Sequence, residues 1–326
     1  MDNLAIIIPS VGNDRVVELR QTLCSLDAAS NGKFNGLITV IFNSAYDADL
    51  AEMAKDYKLN AIEFNGENRG FVYNLLRCLR YSRSKYVWIF GDDDIVHLPI
   101  YNKLSDALLT DVPLIHLPHF TLADTYIFKK LESGNHDYIL TSDPNPVIRK
   151  SGFISSNIYR RDIIESFLQR YDSDERVINS YLPKFLTAYA LDKFPTFILF
   201  RDKIIGQRIP AEGAGSIFIN KRDEYVQHFH RKLLAGYDAM RFAGIDSVNR
   251  WITEHFEAMH LPVRLRVLNI ITRKDLLRDY IRYSKFQTTR SMRTLLISML
   301  PNVILRTLFR RDLETLKRKF PSLFHE

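Results

Sequence analysis

Along the first third of the chain, short runs of β-branched and aromatic residues alternate with stretches in which apolar residues recur at helical spacing. The runs are Ala5-Ile6-Ile7-Ile8, Leu37-Ile38-Thr39-Val40-Ile41-Phe42, Ala61-Ile62-Glu63-Phe64 and Tyr86-Val87-Trp88-Ile89-Phe90, and they read as buried strands. Between them, Val16, Leu19, Leu23 and Leu26 share one helical face. So do Leu50, Met53, Ala54 and Tyr57, and then Phe71, Leu75, Cys78 and Leu79. The order βαβαβαβ predicts an α/β fold on a mostly parallel, doubly wound sheet, because parallel neighbours need a crossover and a helix supplies it.

Ligands of such sheets bind outside the carboxyl ends of the strands, so the informative residues are those that follow each run. They are Pro9-Ser10, Asn43-Ser44, Asn65-Gly66 and Gly91-Asp92-Asp93-Asp94. No GxGxxG follows the first run and no P-loop occurs, which disfavours a dinucleotide dehydrogenase and a P-loop NTPase. From about Leu114 to Pro210 the pattern loosens into apolar runs (Leu114-Ile115-His116-Leu117, Thr196-Phe197-Ile198-Leu199-Phe200) with a helical stretch near Asp162 to Gln169. This segment reads as the second half of the same domain. After Asp223 the pattern is helical almost to the end, interrupted at Pro262 and Pro301. The expected division is a domain over residues 1–220 and a helical, basic region over 221–326.

Charge sharpens that division. The formal net charge is +7, yet from Glu257 onward there are 15 Lys/Arg against 6 Asp/Glu, so the first 256 residues are slightly acidic. With 326 residues, 46% of them hydrophobic, the chain can bury a core without disulfides. Its two cysteines, Cys24 and Cys78, both fall on predicted inner helix faces, where buried, reduced thiols are expected. The early acid in Met1-Asp2-Asn3 argues against a secretory signal, and no stretch reaches the roughly 18 apolar residues of a membrane span. A cytoplasmic protein, soluble or peripheral on the membrane, is expected.

Three consecutive aspartates after a buried aromatic strand are costly, because like charges a few ångströms apart raise one another's pKa unless a cation lies between them. A divalent metal supplies that cation, and all-oxygen ligands favour Mg²⁺ or Mn²⁺ with a diphosphate completing the shell. Two plainer roles compete: the acids cap a helix starting near Ile95, or they form a solvated turn.

Wider context bears on that choice. Asn68-Arg69-Gly70-Phe71-Val72-Tyr73-Asn74, a helix, and then Lys85-Tyr86-Val87-Trp88-Ile89-Phe90-Gly91-Asp92-Asp93-Asp94 resemble the donor-site signature of family 2 glycosyltransferases with the GT-A fold. Ile6-Ile7-Ile8-Pro9-Ser10, followed by a helix ending in Thr22-Leu23-Cys24-Ser25-Leu26, resembles that family's opening. The resemblance covers residues 4–100 well and 150–210 loosely. It implies a GT-A-like sheet and sugar transfer from a nucleoside-diphosphate donor, with UDP as the default nucleotide and CDP or dTDP open. Asp92, Asp93 and Asp94 then correspond to the DxD-type motif, with Asp92 and Asp93 toward the nucleotide and Asp92 and Asp94 toward the metal. By the same carry-over Pro9, Ser10 and Gly12 lie beneath the base, and Asn68, Gly70 and Asn74 pack around base and diphosphate. Asn68 as a helix cap and Gly70 as a positive-φ position are the plainer readings.

Two departures stand out. Asn43 occupies the place where the family often has an Asp that reads the base. Past the segment Ser151-Gly152-Phe153-Ile154-Ser155-Ser156-Asn157-Ile158-Tyr159-Arg160-Arg161, the acidic pair expected to hold the catalytic base is missing. Asp172, Asp174 and Glu175 are the candidates for that base, against solvated loop acids or a retaining mechanism. Arg208, Lys221 and Arg222 are candidates for the diphosphate, in a Gly-rich stretch with the character of a lid. His116, His119, His228 and His230 lack zinc-site spacing and read as structural or acceptor-facing.

From Arg290 to Phe320, apolar residues mix with Arg290, Arg293, Arg306, Arg310, Arg311, Lys317, Arg318 and Lys319. This suits a helix lying on anionic lipid, and equally a helical subdomain with a solvated basic face. Nucleic acid is not an expected partner, since no recognition motif accompanies the charge. The expected partners are a nucleotide-sugar donor, a saccharide or lipid-linked acceptor and an anionic membrane surface, in the assembly of a bacterial surface polysaccharide such as lipopolysaccharide or capsule. The rivals are a non-catalytic relative that binds membrane or partner proteins, and a sugar-nucleotide nucleotidyltransferase.

Overall fold

The computed structural model describes residues 3–121, 137–148, 151–207, 231–257, 266–267, 271–311 and 313–314. The chain forms two compact units, Met1–Ile209 and Pro210–Glu326.

The first unit opens with β1 (Leu4–Ser10), α1 (Val16–Ser30), β2 (Ile38–Phe42), α2 (Ala48–Asp56), β3 (Ala61–Phe64), α3 (Phe71–Tyr81) and β4 (Tyr86–Ile89), in the alternation predicted from the pattern. It continues with β5 (Ile95–Val96), α4 (Tyr101–Leu109), β6 (Leu114–His116), β7 (His119–Thr121), β8 (Tyr138–Thr141) and α5 (Asn145–Ile148). β9 (Asn157–Arg160), α6 (Arg161–Tyr171), α7 (Leu182–Lys193), β10 (Phe197–Phe200) and β11 (Ile205–Gln207) complete it. Eight strands form one sheet in the order β3-β2-β1-β4-β9-β6-β10-β8, and β5-β11-β7 form a second, small one. β1 is parallel to both β2 and β4, with Ser10 opposite Phe42 and Ile7 opposite Ile89. β9 runs antiparallel between β4 and β6, and β8 is antiparallel to β10 at the edge.

The order turns outward in both directions from β1 and β4, so the connections leaving their carboxyl ends run to opposite sides and leave the crevice in which doubly wound sheets hold ligands. Beneath it the sheet is dry: Ile6, Ile8, Val40, Phe42, Trp88 and Phe90 are fully buried against Leu19, Leu23 and Leu26 of α1.

The cysteines divide. Cys78 is buried on α3 as expected, but Cys24 is exposed, because the inner row of α1 runs through Leu23 and Ser25 and leaves position 24 turned outward. Burial pushes the Cys78 thiol far above its ordinary range. One thiol per chain is therefore expected to react rapidly with an aromatic disulfide reagent at pH near 8, the second only after unfolding. Two equally fast thiols would mean that α3 opens readily from the sheet.

The described part of the second unit is helical: α8 (Lys232–Phe242), α9 (Ser247–Glu257), α10 (Arg273–Arg282), α11 (Thr289–Ser298) and α12 (Asn302–Leu308). Thr272 with Asp275 and Thr288 with Ser291 close capping boxes at the starts of α10 and α11. Trp251, Phe256, Tyr237 and Tyr280 fill the centre. Pro301 stands at the start of α12, ending the run from α11 as expected, whereas Pro262 lies outside the described residues. Among the described residues no helix is long and apolar enough to cross a membrane.

Candidate functional site

The residues after β1 to β4 converge as one hydrogen-bonded set. Ser10, the last residue of β1, donates its hydroxyl to Asp92 Oδ2 at 2.7 Å. Two residues on, Gly12 adopts φ +100, and a Cβ there would stand 3.2 Å from Ser44 Cβ, so both conformation and space call for glycine. The chain then enters a short 3₁₀ turn ending at Arg15, whose Nη1 lies 3.1 Å from Asp92 Oδ1 and 2.6 Å from Asp93 Oδ2.

Arg15 is thus the cation between the first two aspartates. Burial acts against its charge, but Asp92 and Asp93 outweigh that and raise its pKa. Burial also pushes the Asp92 carboxyl up to about 6, even with Arg15 and Ser10 bonded to it. The counter-charge supplied by the fold therefore falls short of what a buried carboxylate needs.

Asp94 is held from the other side. Ser155 donates to Asp94 Oδ2 at 2.5 Å and accepts from the Gly91 N–H at 2.7 Å, while its own carbonyl accepts from Trp88 Nε1 at 2.8 Å. Thr22 Oγ1 lies 3.0 Å from the Asp92 carbonyl and 2.7 Å from that of Asp94, sharing one proton between them. A Cβ on Gly91 would meet Asp94 Oδ2 at 2.5 Å, so the aspartate turn closes only over glycine.

A second cluster covers the ends of β2 and β3. The Asn43 N–H donates to the Ser10 carbonyl at 2.7 Å, joining it to the aspartate cluster. Asn43 Nδ2 donates to Asn68 Oδ1 and the Gly70 carbonyl, and its Oδ1 accepts from Asn65 Nδ2 and the Arg69 N–H. Asn65 Nδ2 also reaches Asn74 Oδ1, and Asn74 Nδ2 donates to the Ile41 carbonyl at 3.3 Å. Asn68 Oδ1 accepts from the Gly70 N–H at 2.9 Å, and Gly70, at φ +84, stands at the start of α3 with open space beside its Cα.

Solved structures share this architecture. S. aureus TarS 1–349 in complex with UDP-GlcNAc matches with a TM-score of 0.59 at 12% identity, over 96% of this chain and 88% of that one. A longer S. aureus TarS structure matches with a TM-score of 0.54 at 10% identity over 98% of this chain, which spans 55% of it. The fold is GT-A-like. No protein-family model and no curated protein sequence matches the chain.

In this GT-A-like sheet, Ser10, Gly12, Asn43, Asn68, Gly70, Asn74 and Asp92 to Asp94 lie together at the carboxyl ends of β1 to β4, and Pro9 pairs with Ile41 just inside β1. Of the plainer readings, the positive φ of Gly70 is realised, and Asn68 caps the turn before α3 rather than the helix itself. The three loop acids are not brought to this set. Asp172 ion-pairs with Arg80 in the last turn of α3, about 15 Å along that helix from Gly70. Asp174 pairs with Arg176, which holds its carboxyl below the usual range, and Glu175 is exposed. The cause is β9, which is antiparallel to β4 and so delivers α6 to the amino-terminal edge of the sheet, where the Arg161 N–H meets the Lys85 carbonyl at 2.7 Å. His116 is fully buried with Nδ1 2.8 Å from Asn157 Oδ1, and half-buried His119 has Nδ1 2.8 Å from Ser156 Oγ. Arg208, Lys221, Arg222, His228 and His230 lie outside the described residues.

Arg15, Thr22 and Ser155 were not singled out from sequence. Thr22 left a trace: a polar residue on the inner row of α1, between Leu19 and Leu26, needs a buried partner. Arg15 and Ser155 left none, since each lies in a short 3₁₀ turn, where a polar residue ordinarily meets solvent.

Proposed function

We propose that this chain is a family 2-type glycosyltransferase that moves a hexosyl residue from a nucleoside-diphosphate sugar to an acceptor hydroxyl. The observation that carries the reading is the continuous set from Asn74 through Asn43 and Ser10 to Asp92 at the point where strand order reverses. Pro9, Ser10, Gly12 and Asn43 lie beneath the base, with Asn68 and Gly70 beside it and Asp92 and Asp93 toward the ribose and diphosphate. UDP is the first nucleotide to test, given the UDP-GlcNAc held by S. aureus TarS 1–349.

A hard divalent ion, Mn²⁺ or Mg²⁺, fits the residues present. Asp92 and Asp94 are buried all-oxygen donors, and Asp92 remains pushed up to about 6 despite Arg15. Among the described residues no three His, Cys, Asp or Glu side chains gather into a ready ligand set, so the ion would take two carboxylates and complete its shell with diphosphate and water. When bound, it would neutralise charge developing on the departing diphosphate. The protein's part is orientation: Ser10 and Arg15 fix Asp92, while Ser155 and Thr22 fix Asp94 and its turn. Arg208, Lys221 and Arg222 remain the basic candidates for the same diphosphate. The acceptor is a saccharide or lipid-linked glycan of a bacterial surface polysaccharide, and the protein works peripherally at the inner face of the membrane.

Calorimetric titration with UDP, CDP and dTDP, with and without Mn²⁺, tests this. Metal-dependent binding of one nucleotide is expected. If none of the three binds, the donor-site reading fails and a non-catalytic protein becomes the better one.

A further inference from the structure

The second unit turns large apolar side chains outward, a helical turn apart. Leu277 and Ile281 on α10 are 42% and 64% exposed, and Met292 and Leu296 on α11 are 44% and 67% exposed. On α12, Val303 and Leu308 reach 77% and 62%. α11 is inverted relative to an ordinary surface helix, burying Ser291, Thr294 and Ser298 beside Leu295 while it shows Met292 and Leu296 to solvent. The buried hydroxyls are satisfied within the helix: Thr294 donates to the Arg290 carbonyl at 3.1 Å and Ser298 to the Thr294 carbonyl at 2.7 Å. The small polar face can therefore pack inward without an unmet hydrogen bond, and the apolar face is left for another occupant.

Two observations narrow what that occupant is. The exposed apolar residues are interleaved with exposed Arg273, Lys274, Arg290, Arg293 and Arg306. A second copy of the chain would bring like charges together across the contact. A soluble polyanion would satisfy the basic residues and leave the apolar ones in water. An anionic lipid surface accommodates both, with apolar side chains at the acyl boundary and basic ones at the headgroup phosphates. We propose that the outward sides of α10, α11 and α12 dock the protein on an anionic bilayer. This inference deepens the membrane-peripheral part of the functional reading and is independent of the donor chemistry.

Co-sedimentation of the full chain with vesicles tests it, using phosphatidylcholine alone and phosphatidylcholine with about one-third phosphatidylglycerol. Binding is expected only to the anionic vesicles, weakened but not abolished by high salt. The double variant Met292→Ser/Leu296→Ser should lose at least about 10-fold in partitioning. Both sites are exposed, so its melting temperature should stay within a few degrees of the parent's, and Leu277→Ser/Ile281→Ser provides an independent second reading. Asp94→Ala should bind vesicles like the parent, which separates this result from any failure of the donor site. Equal binding to neutral vesicles, no vesicle binding, or undiminished binding by both double variants would overturn the proposal. So would a dimer in light scattering that the Leu296 variant dissociates, which would assign the face to a second copy.

Discussion

Replacing Asp94 by alanine is expected to abolish metal-dependent nucleotide binding, with a loss of at least about 100-fold in affinity. Asp94 is 2% exposed, and its Oδ2 accepts the Ser155 hydroxyl that also takes the Gly91 N–H. An alanine there removes one of two carboxylates from the proposed metal site. It also strips Ser155 of its acceptor, a bond made with or without ligand, so that loss falls on the stability of the turn. Loss of an outer-shell partner alone lowers metal affinity about 10- to 100-fold, so loss of a ligand is expected to pass 100-fold. Calorimetry of the variant with the nucleotide that the parent binds, in Mn²⁺, measures it. Undiminished metal-dependent affinity would remove Asp94 from the site, whatever the function proves to be.

The second large effect is on stability, and its sign is opposite to that of an ordinary buried-residue change. Asp92→Asn is expected to stabilise the metal-free, donor-free protein at pH 7 by about 1–3 kcal/mol. Burial pushes the Asp92 carboxyl up to about 6, above the roughly 3.9 of an unfolded chain, so the folded state favours the neutral form. A raised acid contributes stability that is complete below about pH 4 and is lost as pH rises through about 6. The stabilisation of the Asn variant should therefore be largest at pH 7 and shrink toward zero near pH 4. The amide suits the site: its Oδ1 can accept from Arg15 Nη1, and the Ser10 hydroxyl, which now donates to Asp92 Oδ2, can turn and accept from Nδ2. Denaturant titrations of both proteins at pH 4, 5.5 and 7 read the difference. A variant less stable than the parent at pH 7 would mean that the Arg15 pairing outweighs burial. With Mn²⁺ and nucleotide the order should reverse, because only the parent gains stability by binding. Such opposition is expected where a fold holds charges together for a ligand rather than for itself.

Much of the first unit was legible in sequence because its central strands, β1, β2 and β4, are buried along most or all of their length. Runs such as Ile6-Ile7-Ile8 and Tyr86 to Phe90 leave no polar face, and the helices between them show an apolar row, so order and type followed from periodicity alone. The places after β1 and β4 could then be marked in advance, and Ser10 and Asp92 do meet there. Cys24 went the other way, since a row of period 3.6 does not say on which side of its edge a residue falls.

The aspartates show where such reading ends. Their number and position predicted a need for positive charge, and sequence assigned that need to a metal. The fold answers part of it with Arg15, reached only when the turn at Gly12 brings the start of α1 back over the end of β4. Likewise Asp172 to Glu175 stood at a plausible distance along the chain, but the antiparallel course of β9 between β4 and β6 sends α6 to the opposite edge of the sheet. Local pattern determined the strands, the helices and the acids at the strand ends, because those depend on neighbours within a few residues. Which charges face one another depended on strand order and direction, which are set by packing between segments tens of residues apart.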